Sequence, residues 1–114
     1  MKTYVMAFLK RGPNRDLPVA EAQALQQAHL ENINRMAAEG SLILAGPFLD
    51  SGTSRGIYIF DVRTVEEAEA LTNTDPAIQA GSLEMELKPW YGSADLMELN
   101  KLHLRVQKKS ITEG

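Results

Sequence analysis

The chain contains no cysteine in 114 residues. Disulfide frameworks, thiolate nucleophiles and cysteine-ligated metals are excluded together, and a reducing, cytoplasmic setting is expected. Histidine is scarce as well: there are two, His29 and His103, too far apart for a paired-histidine metal motif. No metal or organic cofactor is therefore expected. No stretch approaches the roughly 18 apolar residues of a membrane helix. The apolar run at Val5 to Leu9 is too short and too strand-like for a secretory signal, so a soluble intracellular protein is expected. Charge of one sign is also lacking. The net charge is -3 with both signs mixed, and only the stretch from Arg105 to Lys109 is basic, which argues against nucleic acid as a partner.

Phosphate-binding and nucleophile motifs are missing too. Asp50-Ser51-Gly52-Thr53 has neither the length nor the lysine of a phosphate loop. Ser51, Thr53 and Ser54 lack the strand-turn-helix setting of a nucleophile elbow. At this length one domain is expected, small enough that a partner surface helps to bury its core, so a homodimer is expected.

What is present is a sequence of alternating patterns. Thr3 to Lys10 places Tyr4, Met6 and Phe8 on one face and Val5, Ala7 and Leu9 on the other, a strand buried on both sides. Arg11 to Arg15 breaks it. A helix follows, with Asp16 as its expected cap, Pro18 in its first turn and Gly40 at its end. Leu42 to Leu49 is a second apolar run, interrupted by Gly46-Pro47. Proline cannot donate to a ladder, so this strand belongs at an edge or a bulge. A third strand is expected over Gly56 to Val62. Thr64-Val65-Glu66-Glu67 has the form of a capping box opening a second helix to about Asn73. Asp75-Pro76 begins a turn or one further helical turn that Gly81 ends, and Leu83, Met85 and Leu87 alternate with Glu84, Glu86 and Lys88 in a fourth strand.

This order predicts an α+β, ferredoxin-like βαββαβ fold: one four-stranded antiparallel sheet with two helices on one face. The other sheet face is left for a second subunit to cover. Residues 92–114 form an extension whose leucines suit either a helix or a strand, and which has a partner subunit as one place to pack.

One residue departs from its pattern. At about 100° per residue, Ala22, Leu25, Ile33 and Met36 all fall within about 40° of His29, so a titratable ring stands in the core-facing stripe of the first helix. Such a ring needs a partner or a purpose. It is either a core histidine satisfied by Asp75 or a backbone carbonyl, or a reactive group. Asp75 has two readings as well, as a turn initiator bonding its own backbone or as the partner of His29. Gly46 and Pro47 form a pocket wall or simply end a strand. Arg55 is either a solvated charge or a holder of a substrate carboxylate. Trp90 either lines the cleft or anchors packing.

The chain resembles the YciI-like (YCII-related) proteins over residues 1–91. The resemblance rests on His29-Leu30-Glu31, Gly40-Ser41-Leu42-Ile43-Leu44-Ala45-Gly46-Pro47, Gly56, Glu67-Ala68, Asp75-Pro76, Gly81 and Leu87-Lys88-Pro89-Trp90, in that order and spacing. It implies a dimeric α/β barrel with His29 and Asp75 as the active-site pair, and one member resembling the family is a dehydrochlorinase in chloroaromatic breakdown. Beyond Tyr91 the chain departs from the family. The reading that follows is a small-molecule enzyme in which His29, oriented by Asp75, transfers protons in an elimination or isomerisation. The alternative is a non-catalytic ligand-binding or assembly module of the same fold.

Overall fold

A computed structural model describes residues 1–50 and 52–99. His103, the basic stretch and the tail leucines beyond Leu99 lie outside the described residues. Four strands form one antiparallel sheet: β1 (Lys2–Arg11), β2 (Leu42–Pro47), β3 (Ser54–Phe60) and β4 (Leu83–Gly92), in spatial order β2-β3-β1-β4. Between them run α1 (Val19–Glu39), α2 (Val65–Thr72) and the single turn α3 (Pro76–Gln79). This is the ferredoxin-like arrangement, with Pro47 on an edge strand as its missing N–H requires. Among the described residues, no helix is long and apolar enough to cross a membrane.

Period-two alternation sorts the strands' side chains onto two faces. Val5, Ala7, Leu42, Tyr58 and Phe60 form the main core with Met36 of α1 and Ala68 of α2, so both helices lie on that face. Tyr4, Ile43 and Ile59 gather on the opposite face. The apolar triplet Leu42-Ile43-Leu44 serves both faces because the β2–β3 register slips there, Leu42 pairing with Phe60 and Leu44 with Ile59. Part of the second face is covered by the chain itself. Leu96 and Met97 pack against Tyr4, Ile43 and Ile59, and the Tyr4 hydroxyl donates to the Ser93 carbonyl at 2.6 Å.

The start of α1 differs from expectation. Asp16 does not cap it; the cap position is Pro18, with no side-chain hydrogen bond. A residue before proline is sterically kept out of the helical region, so Leu17 cannot join a helix opened at Asp16. The other ends follow their local chemistry. Gly40 closes α1 in the left-handed conformation at φ 86°, and the Thr64 hydroxyl accepts from the Glu67 N–H at 3.1 Å.

The loop leaving β1 is fastened to the loop entering β4. Gly12 N–H donates to the Ser82 carbonyl at 2.9 Å and Asn14 N–H to that of Gly81 at 3.0 Å. A Cβ on Gly12 would stand 2.2 Å from the Gly81 carbonyl oxygen, and backbone on both sides leaves little room to yield. Gly12→Ala is expected to lower stability by about 1–3 kcal/mol, read from the urea midpoint at unchanged slope.

Candidate active site

His29 is the buried polar residue at the centre of α1, 5% exposed, one turn before Asn32 and two before Met36. Asp75, 2% exposed, precedes α3. Its two oxygens have separate duties. Oδ1 accepts the Ala77 N–H at 2.9 Å and caps α3, while Oδ2 lies 2.5 Å from His29 Nδ1. Pro76 fits the first helical position because its fixed φ suits the helix and no N–H is lost. The turn-forming and histidine-binding readings of Asp75 therefore hold together.

Arg35 ties the two elements from outside the core. Its guanidinium donates to Asn32 Oδ1 on α1 at 2.8 Å and to the Thr74 hydroxyl, next to Asp75, at 3.1 Å. The Asp75 loop is thus bound to α1 at two successive residues.

On the other side of the imidazole, Nε2 lies 3.3 Å from the Tyr58 hydroxyl of β3. A carboxylate only accepts, so Nδ1 carries the proton shared with Asp75; in the neutral ring Nε2 then holds the lone pair and accepts from Tyr58. Burial, reinforced by the negative charge of Asp75, holds the Tyr58 phenol well above the usual tyrosine range. Tyr58 is consequently a neutral hydrogen-bond donor.

Beside this line of three groups opens a pocket of about 280 Å³. His29 and Tyr58 line it, with Leu9, Leu30, Ile33 and Ala45 as apolar walls and Gly46, Pro47, Arg55 and Gly56 on the β2–β3 side. Gly56 keeps this wall thin, since a Cβ there would stand 2.5 Å from the Gly46 carbonyl oxygen. Among the described residues, no group of three His, Asp or Glu side chains converges as a metal site would require.

The residue pattern and the fold agree with comparisons to known proteins. The sequence profile described as the YCII-related domain matches residues 3–91. The chain belongs to the YCII-related family. A relative in that sequence range is the uncharacterized protein YjpA of Bacillus subtilis (strain 168), 36% identical over 90 residues, covering 79% of this chain and 95% of the relative. Two solved structures share the fold. One is 5-chloro-2-hydroxyhydroquinone dehydrochlorinase (TftG) of Burkholderia phenoliruptrix AC1100 in complex with 2,5-dihydroxybenzoquinone, with TM-score 0.60, 17% identity and coverage of 79% of this chain and 95% of that one. The other is muconolactone isomerase, with TM-score 0.60, 16% identity and coverage of 80% and 91%.

In this YCII-related chain the residues singled out from sequence divide in two. His29 and Asp75 meet, and Gly46, Pro47 and Arg55 line the pocket beside them. Trp90 does not. It pairs with Tyr4 across β1 and β4 and its ring lies 5.8 Å from that of Tyr4, on the sheet face away from α1. Strand alternation sets this: Trp90 shares the parity of Tyr4, whereas Val5 and Ala7 share the pocket's face. Tyr58 enters the site without having been singled out from sequence. Its signal is the register Gly56, Tyr58, Phe60, which puts a hydroxyl on the core-facing side of a strand where it needs a partner.

Two measurements test this geometry. Asp75→Ala is expected to lower stability by about 1–3 kcal/mol through the orphaned imidazole N–H, with loss of the α3 cap in addition, in a denaturant titration. The raised Tyr58 pKa means that above about pH 10 the unfolded chain releases a proton that the folded one keeps, so stability falls as pH rises from there. Phenolate absorbance should show a late-ionising component that Tyr58→Phe removes, along with its share of the alkaline destabilisation.

Proposed function

We propose that this protein is a small-molecule enzyme that uses His29 as a general base in an elimination or isomerisation. The observation that carries the reading is the buried Asp75–His29–Tyr58 line at the wall of an open pocket. Asp75 orients the ring and stabilises the imidazolium that forms. A substrate carbonyl oxygen takes the Tyr58 hydroxyl as its donor, and this frees the Nε2 lone pair.

Nε2 then removes a proton from the carbon next to that carbonyl. The electron pair of the broken C–H bond moves onto the oxygen as an enolate, which the Tyr58 hydrogen bond stabilises. In an elimination the pair returns and expels a leaving group such as chloride from the neighbouring carbon. In an isomerisation the imidazolium gives its proton back at a different carbon. Isomerisation leaves the enzyme as it started, elimination does so once the imidazolium has released its proton to solvent, and neither step needs a metal or organic cofactor. The named activities of the two similar structures, a dehydrochlorinase and an isomerase, belong to this chemistry, since removing HCl demands a base.

The partition of the sheet's second face also enters this reading. Two chains are proposed to pair as a dimeric α/β barrel through the part of that face not covered by Leu96 and Met97, in the cytoplasm. Light scattering on the eluting protein should give twice the 12.6 kDa of one chain; a single-chain mass contradicts the dimer.

One observation favours the alternative of a non-catalytic binding module: both ring nitrogens already have protein partners. The two are separated by deuterium exchange and chloride release from a panel of enolisable lactones and chlorinated hydroxyquinones, followed by NMR. His29→Asn is expected to lower the rate by about 10²–10⁴ while the fold is retained. A folded His29→Asn protein working at the parental rate removes the enzyme reading.

A further inference from the structure

We infer that the pocket is built for a small organic carboxylate, with Arg55 binding the carboxylate group while the rest of the molecule lies against the apolar walls before His29. This deepens the proton-transfer reading by naming its substrate class, and it rests on that reading only for what His29 does.

The first support is backbone geometry. Along the β1–β3 pair, Leu9 stands opposite Gly56 and Lys10 opposite Ser54, so Arg55 has no residue across from it. It is the extra residue of a β-bulge. In a regular strand Arg55 and Gly56 would face opposite sides of the sheet. A bulge re-aims a side chain, and here Arg55, Gly56 and Tyr58 all line one pocket. The Arg55 carbonyl accepts the Phe48 N–H at 2.8 Å, which fixes the bulged residue to the end of β2.

The second support is charge. Arg55 is half-buried, and among the described residues it has no ion pair or side-chain hydrogen bond, whereas Lys2, Lys10 and Arg35 each hold a carboxylate. No Asp or Glu lines the pocket. A guanidinium left unpaired beside apolar walls offers its planar fork of donors to a carboxylate, which it fits in a bidentate way. The third support is size. At about 280 Å³ the space lies just below the roughly 300–1,000 Å³ of drug-sized sites, so the occupant is of single-ring dimensions.

The probes are benzoate and its neutral isostere benzamide, titrated into the full chain and followed by protein NMR. Benzoate is expected to bind in the pocket at least about tenfold more tightly than benzamide, and Arg55→Gln to remove that preference while leaving benzamide unchanged. Arg55→Lys keeps the charge without the fork and should lose less than Arg55→Gln. Equal binding of the two probes, no saturable benzoate binding, or full benzoate affinity in Arg55→Gln would each overturn the inference. His29→Asn separates it from the proposed reaction. That variant should still bind benzoate through Arg55 even where catalysis is lost, and benzoate binding that fails in His29→Asn but survives in Arg55→Gln places the anion on the histidine and contradicts the proposal.

Discussion

The contact between His29 Nδ1 and Asp75 Oδ2 organises the molecule. Both groups are almost fully buried, and burying either one alone would carry a large desolvation penalty. Each is tolerated because the other is there. Satisfying both requires the middle of α1 and the start of α3, separated by 46 residues of chain, to meet at one point. The Arg35 bridge and the Asp75 cap then look like parts of one requirement: the carboxylate must be aimed at the imidazole and kept there.

The sheet supplies the other half of the site. β3 carries Arg55, Gly56 and Tyr58 past the same pocket within four residues, which a regular strand cannot do because its side chains alternate. The bulge at Arg55 and the bare backbone of Gly56 make the exception. One of the sheet's irregularities thus falls beside the pocket, another being the β2–β3 slip at Leu42 and Leu44, and bulges are common where sheets border functional sites. On the far face, Tyr4 and Trp90 do structural work, and Leu96 and Met97 cover what a strict βαββαβ chain would expose.

Much of this was legible in the residues. His29 stood out because Ile33 and Met36 on the same stripe demand a core that an imidazole does not suit. The order of the strands and the glycine at Gly40 follow from periodicity and local backbone chemistry. The stripe was less true at its beginning. Ala22 is exposed, because the first turns of α1 contribute no buried residue. Asp16 was misread because its capping chemistry is local, whereas the bar imposed by Pro18 falls on the residue between them. The choice between the two readings of Trp90, and the part played by Tyr58, were not legible for a different reason. Their roles depend on which face of the sheet each occupies and on what the other strands bring there, and a bulge that shifts Arg55 across the sheet exists only as a relation between β1 and β3. Asn32 is buried one turn from His29 without any pattern in the chain announcing it.

The central claim is that Asp75 fixes the proton on Nδ1 and leaves Nε2 as the nitrogen that works in the pocket. Nitrogen NMR of the His29 ring tests it most directly. The account predicts that in the neutral ring Nδ1 carries the proton, in the bond to Asp75, and Nε2 carries none and accepts from Tyr58. A ring whose Nε2 carries the proton while Nδ1 is bare would contradict it, because the base would then point at Asp75 and not at a substrate.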